Sequence, residues 1–232
     1  MKIIRYRIAG DITVEFQDKY RYTVNTTYNN FTKGIKNPYD RSIYGVGYLG
    51  VGKHLAHDSN GINTKIYDTW TNMLERCYNE KLRDKHPAYA NCIVADEWHN
   101  FQTFADWYIA SFYEVKNERM HLDKDILFKD NNFYSPYTCL IVPQRINMIF
   151  MKKPKTKDVD LPNTINRCVT GFSASYNGKS LGVFKTLKEA VFAHDYHQRI
   201  HILKVTEEYR DKIPKKVYNA LINYNKEIDT MK

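Results

Sequence analysis

The segment from Asn163 to Ile200 constrains this chain most, because a two-residue alternation gives way there, once, to a helical period. Short β-favouring runs lie around Arg167-Cys168-Val169, over Gly171-Phe172-Ser173-Ala174-Ser175-Tyr176 and over Lys179-Ser180-Leu181-Gly182-Val183-Phe184. Asn177-Gly178 joins the second run to the third. That dipeptide tolerates the positive φ that a two-residue hairpin turn needs at both positions, so it is a strong hairpin signal. After the third run, Thr186 and Glu189 have the spacing of a capping box, in which each side chain satisfies a backbone N–H of the other. The helix they open buries Ala190, Ala193, Leu187 and Tyr196, and its alanines let it lie close to a sheet. Alternation turns Phe172, Ala174, Tyr176, Leu181 and Val183 inward. It turns Ser173, Ser175, Ser180 and Gly182 outward, with Lys179 and Lys185 on either side. The expected unit is three short strands joined by tight turns and followed by one helix that sits close to them.

Charge is concentrated in the same part of the chain. The formal net charge is +9, and residues 151–232 carry sixteen basic against nine acidic side chains, while residues 1–150 carry 19 against 17. A basic excess attracts polyanions, and a solvated lysine face is the ordinary alternative. Composition is otherwise that of a globular protein, 43% hydrophobic and 26% charged. No apolar run approaches the roughly 20 residues that cross a bilayer. Charged residues interrupt Met1-Lys2-Ile3-Ile4-Arg5 where a secretory signal would turn apolar, so the expected address is the cytoplasm. The four cysteines, Cys77, Cys92, Cys139 and Cys168, form no Cys-x-x-Cys pair and read as reduced, mostly buried thiols.

The whole chain reads as α+β. Residues 1–52 form a β-rich module with three antiparallel strands, Ile3–Ile8, Ile12–Phe16 and Tyr20–Val24. A glycine-rich stretch from Gly34 to Gly52 follows. It lacks the Gly-Lys-Ser/Thr ending of a phosphate loop and reads as a loop or ribbon. Residues 53–150 hold two helices, one over Ile66–Asn79 and one over Glu97–Tyr113 capped by Asp96. Their aromatic stripes assign Trp70, Trp98 and Trp107 to packing. Residues 151–162, with four lysines and a proline near their start, read as a basic linker, and residues 163–232 form the last module. Beyond its first helix, Tyr209, Ile213, Val217, Leu221 and Ile222 mark a second, after a break at Pro214, that folds back as a support.

At the level of motif, Gly171-Phe172-Ser173-Ala174-Ser175-Tyr176, Leu181-Gly182-Val183-Phe184, Thr186 and Glu189-Ala190 with Ala193 resemble the DNA-binding domain of plant ethylene-response factors. Similar domains occur in phage and mobile-element endonucleases. The resemblance implies a three-stranded antiparallel sheet that enters the major groove of duplex DNA and reads bases from its exposed face while the helix packs behind. The residues it points to are Arg167, Ser173, Ser175, Lys179, Ser180 and Lys185. Arg167 would reach a guanine edge or a phosphate. Serines stand where the family usually carries longer arginine and tryptophan side chains.

A second resemblance lies upstream. Leu122-Asp123-Lys124-Asp125-Ile126-Leu127, Asn131-Asn132 and Ser135-Pro136-Tyr137-Thr138-Cys139-Leu140-Ile141-Val142-Pro143-Gln144-Arg145-Ile146-Asn147 are similar to the HNH nuclease motif, a strand, loop, strand and helix that hold a divalent metal. In that family a histidine activates water and the metal stabilises the leaving oxygen. The alignment puts Asp123 and Asn147 at ligand positions, Lys124 where the catalytic histidine belongs and Thr138 where the middle asparagine belongs. Lysine is a poor base, since its ordinary pKa of about 10.4 keeps it protonated at neutral pH unless burial lowers it. His121 is an alternative base, three residues before Lys124. Two readings of Asp123 and Asp125 stay open: with Asn147 they hold Mg²⁺, or they are solvated strand residues.

The expected function is therefore a phage-type protein that binds double-stranded DNA and carries a degenerate HNH-like, homing-endonuclease-like core. One alternative is a Mg²⁺-dependent nicking endonuclease that uses His121 or an activated Lys124. Another is a phage protein that engages a host protein through its aromatic-rich middle.

Overall fold

The computed structural model describes residues 1–86, 89–151, 157–162 and 164–230. The fold is mixed α+β, with small antiparallel sheets near both ends of the chain. Two compact units form, one from Met1–Tyr78 with Asp96–Asp106, the other from Asn79–Ala95 with Trp107–Lys232. The HNH-like segment and the C-terminal sheet therefore share one unit. The stretch read as a basic linker lies partly outside the described residues.

In the first unit, β1 (Lys2–Ile8), β2 (Asp11–Glu15) and β3 (Thr23–Thr26) form an antiparallel meander in that order. Ile12 and Val14 on β2 are fully buried, and Phe16 follows at 8% exposure. The third strand starts later than the sequence suggests. Asp18 Oδ1 accepts the backbone N–H groups of Tyr20 and Arg21, and Arg21 takes a φ of 51°, so these residues make a turn. A short helix, α1 (Tyr28–Lys33), comes next, and the glycine-rich stretch is irregular, pinned by a bridge between Ile43 and Gly47.

Helix α2 (Lys65–Tyr78) buries Trp70, Met73, Leu74 and Cys77, as the period of that stretch requires. A short helix, α3 (Glu80–Lys85), and a two-residue strand, β4 (Ile93–Val94), follow in the second unit. The helix expected from Glu97 with Asp96 as cap begins instead at Phe101. Asp96–His99 make a tight 3₁₀ turn, and Asn100 Oδ1 accepts the Gln102 N–H to start α4 (Phe101–Ser111). Trp70 and Trp98 are fully buried, with Trp70 Nε1 donating to the Trp98 carbonyl at 2.7 Å. Phe101 and Phe104 are buried beside them, so much of the aromatic-rich middle is core.

The rest of the second unit holds the HNH-like segment and the C-terminal module. Strand β5 (Met120–Asp123) pairs antiparallel with β7 (Leu140–Pro143), and α5 (Gln144–Phe150) follows directly. Between them β6 (Phe133–Tyr134) runs parallel to β4. The first of these strands ends at Asp123, so Lys124 and Asp125 stand on a turn and not on a strand. Strands β8 (Ile165–Cys168), β9 (Gly171–Tyr176) and β10 (Lys179–Phe184) form an antiparallel sheet with β9 in the middle. Helix α6 (Leu187–Glu208) covers one face of it, and α7 (Lys215–Asn223) packs against α6. Tyr209, Ile213, Val217 and Leu221 are buried where the chain folds back. Cys77, Cys92 and Cys139 are buried and Cys168 is exposed, all as free thiols.

Candidate nucleic-acid interface and nuclease-like centre

The C-terminal sheet is assembled by local signals. Asn177 and Gly178 adopt φ of 49° and 79°, the pair of positive values that a two-residue hairpin requires. Thr186 Oγ1 accepts the Glu189 N–H at 3.2 Å and Glu189 Oε2 accepts the Thr186 N–H at 3.0 Å, closing both halves of the capping box. Ala174 and Ala190 are buried together with Ile165 and Leu161, and Phe172, Leu181, Phe184, Leu187 and Val191 pack against them. Gly171 is the close-approach point. Its φ is 144°, and a Cβ there would lie 2.1 Å from the Phe184 carbonyl oxygen.

Strand β10 breaks the simple alternation. Ser180 lies opposite Ser175 and Gly182 opposite Ala174, so Leu181 is an extra residue, a bulge. Leu181 and Phe184 both face the core as a result. Val183, expected inside, lies opposite Ser173 and is 55% exposed. Tyr196 is likewise more open than expected, at 37%, where it stacks on Phe192 along α6, and Ala193 is half-buried. Tyr176 does turn toward α6. Its hydroxyl, pushed up to about 12 by burial, lies 2.7 Å from His201 Nδ1. Burial, with Arg145 and Lys204 nearby, holds His201 below the ordinary imidazole value.

The outer face of the sheet is built from Ser173, Ser175, Ser180 and Val183. Ser173 donates to the Asn166 carbonyl at 3.3 Å and Ser175 to the Thr164 carbonyl at 3.4 Å, so both hydroxyls are partly occupied by the neighbouring strand. Lys179 and Lys185 stand exposed at opposite ends of β10, and among the described residues neither forms an ion pair. Arg167 is placed differently. It lies opposite Phe172, on the side of the sheet that α6 covers, and its guanidinium reaches Asp160 at 2.5 and 3.0 Å and Asp158 at 3.5 Å. Its charge is therefore already shared with two carboxylates.

In the HNH-like segment, the residues aligned with catalytic and ligand positions fall into two groups. The first organises the turn after β5. Asp123 Oδ1 accepts the N–H groups of Asp125 and Ile126 at 2.9 and 2.8 Å, and burial pushes its carboxyl up to about 6. Lys124 is 8% exposed, its Nζ 2.9 and 3.0 Å from the two Asp125 oxygens and also donating to the Asn131 carbonyl. Asn131 closes the loop by donating to the Lys124 and Phe133 carbonyls. Thr138 donates to the Phe133 carbonyl at 2.6 Å and lies 2.9 Å from Ser135 Oγ, so it ties off the Ser-Pro turn.

The second group is His121 and Asn147. His121 lies two residues before Asp123 on β5 and opposite Val142, and Asn147 on α5 brings its Nδ2 to 3.3 Å from His121 Nδ1. With the amide in that orientation Nδ1 is the acceptor, and a neutral ring carries its proton on Nε2. The flipped amide would place the proton on Nδ1 and leave Nε2 as a base.

The side chains expected to hold Mg²⁺ have protein partners in this arrangement. Asp123 has one oxygen engaged by two N–H groups, both Asp125 oxygens face the Lys124 ammonium, and Asn147 is turned to His121. Among the described residues no group of three or more His, Cys, Asp or Glu side chains is gathered as for a metal ion.

No known family model, curated protein or solved structure matches this chain. Its reading rests on the residues themselves.

Sequence reasoning put Asn131 in the loop without its closing bonds, turned Val183 inward, and missed the contacts that α6 makes with the HNH-like segment. Lys129 reaches Asp195 at 3.1 Å, Gln198 donates to the Ile149 carbonyl at 3.3 Å, and Arg145 on α5 reaches Glu208 at 2.5 Å. Burial opposes it, but His194 and Lys129 together hold the Asp195 carboxyl below its ordinary value. The Asn131-Asn132 pair between two β-favouring runs was the available signal for the loop. Nothing local announces pairings across 49 to 66 residues.

Proposed function

We propose that this chain binds double-stranded DNA through the outer face of the β8–β9–β10 sheet, and that its HNH-like segment serves as a structural core and not as an efficient nuclease. One observation carries the reading: the sheet is backed on one side by α6 and bears on the other a shallow row of small side chains, with Lys185 exposed past one end of β10 and Lys179, across from Tyr176, exposed at the hairpin, neither in an ion pair among the described residues. Small side chains let a sheet sit close to the groove floor, and unpaired lysines contact phosphates without losing an internal partner. The sixteen-to-nine basic excess of residues 151–232 supports the same polyanionic partner. With Arg167 engaged by Asp158 and Asp160, base readout is thin, so affinity for duplex exceeds discrimination among sequences. No described helix is long and apolar enough to cross a membrane. The reading includes action in the cytoplasm, a host's if the protein is phage-encoded.

A salt-dependent shift assay on a pool of random duplexes tests this, followed by sequencing of the bound fraction. The expected outcome is binding that weakens steeply with salt and enriches few sequences. Undetectable binding at low salt would refute it. Metal-dependent nicking is a second reading, favoured by the His121–Asn147 pair alone. It requires that supercoiled plasmid be relaxed with Mg²⁺ and that His121→Ala abolish the relaxation.

A further inference from the structure

Strand β1 (Lys2–Ile8) is an edge of the N-terminal sheet, paired with β2 on one side only among the described residues. Ile4, Tyr6 and Ile8 on it are 50%, 58% and 65% exposed. Lys2, Arg5 and Arg7 are interspersed with them, and residues 1–10 contain no acidic side chain. The first carboxylate is that of Asp11, which both arginines reach, at 3.4 and 3.5 Å. One carboxylate shared by two guanidiniums leaves the strand positive.

An open edge is a template for another strand, and proteins guard such edges with charges and bulges. Strand β1 has both, since its register against β2 slips between Ile3 and Arg5 and again between Tyr6 and Ile8. A second copy paired here would set Lys2, Arg5 and Arg7 against their own kind, and like charges facing each other across strands are destabilising. The same side chains leave the edge open to a strand of opposite charge.

We propose that β1 captures an extended acidic segment of a partner protein as an added strand. The segment would alternate apolar residues with carboxylates. Its backbone would take the free edge, its carboxylates would meet Lys2 and Arg5 on the face of Asp11, Thr13 and Glu15, where Arg7 also reaches Asp11, and its apolar side chains would cover Tyr6 on the Ile12 face. None of this depends on the DNA-binding reading, which concerns the other unit.

The test uses the full chain with a labelled peptide alternating valine and glutamate, and a valine–lysine peptide of equal length as control. Anisotropy reports affinity and hydrogen–deuterium exchange reports the β1 amides. The glutamate peptide is expected to bind at least about tenfold more tightly than the lysine peptide and to slow β1 exchange at least about tenfold. Arg7→Glu, at a side chain 68% exposed, is expected to narrow or reverse that preference without disturbing the fold. Equal affinity for the two peptides, unchanged β1 exchange at millimolar glutamate peptide, β1 amides already protected in a dimer of the free chain, or slowing by a duplex oligonucleotide in place of the peptide would each overturn the proposal.

Discussion

Lys124 and Asp125 form a two-pronged ion pair, Nζ lying 2.9 and 3.0 Å from the two carboxylate oxygens, at the position where the HNH resemblance calls for a catalytic base. The same ammonium also satisfies the Asn131 carbonyl, so the lysine is a clamp on the 124–131 loop. Lys124→Met keeps the apolar stem but leaves a partly buried carboxylate and a carbonyl without their donor. It is expected to lower unfolding free energy by about 2 kcal/mol in urea denaturation, less than for a fully buried pair because Asp125 retains some water. A loss near zero would mean that the clamp is ornamental.

Asp123 gives the protein a defined pH dependence. Burial raises its carboxyl from 3.8 to about 6, so the folded chain holds a proton there that the unfolded chain gives up. The stability this contributes is complete below the ordinary value and is lost as pH rises through 6. Asp123→Asn keeps an oxygen for the two N–H groups and removes the titration. The variant should gain on the wild type by up to about 3 kcal/mol between about pH 4 and pH 7.5, at about 1.4 kcal/mol per pKa unit. Parallel stability curves over that range would contradict the assignment.

Gly171→Ala should be costly. The added methyl would meet the Phe184 carbonyl oxygen at 2.1 Å, backbone that cannot swing aside, and φ there is 144°. A loss of about 2 kcal/mol or more is expected, with sheet and helix failing together in thermal melting because their core is shared. Asn177→Ala, at a φ of 49° on an exposed turn, should cost less, about 1 kcal/mol.

For the DNA reading, Lys179→Ala and Lys185→Ala should each reduce the slope of log affinity against log salt by about one, the signature of a lost phosphate contact. Arg167→Ala should leave the slope unchanged, since its guanidinium is held by Asp158 and Asp160. If Arg167 dominates the slope, the outer-face assignment is wrong.

These contrasts indicate what the sequence could disclose. Asn177-Gly178 and Thr186 with Glu189 act over two to four residues, so hairpin and helix start were legible. Strand β5, strand β7 and α5 were legible from pattern alone. The bulge at Leu181 was not, because one extra residue reverses the facing of all that follow and leaves no mark in composition. Nor was the fate of Arg167, whose partners come from a stretch that reads as linker, or of Asp123 and Lys124, whose residue types suit a metal site and a turn clamp equally well.

Helix α6 joins parts of the second unit that are distant in sequence. Its first turns close the core under the sheet, Asp195 in its middle meets Lys129 of the 124–131 loop, and Glu208 at its last turn meets Arg145 on α5. At 22 residues it is a rod of about 33 Å. One continuous helix thus touches the core under the sheet, the 124–131 loop and the helix that carries Asn147.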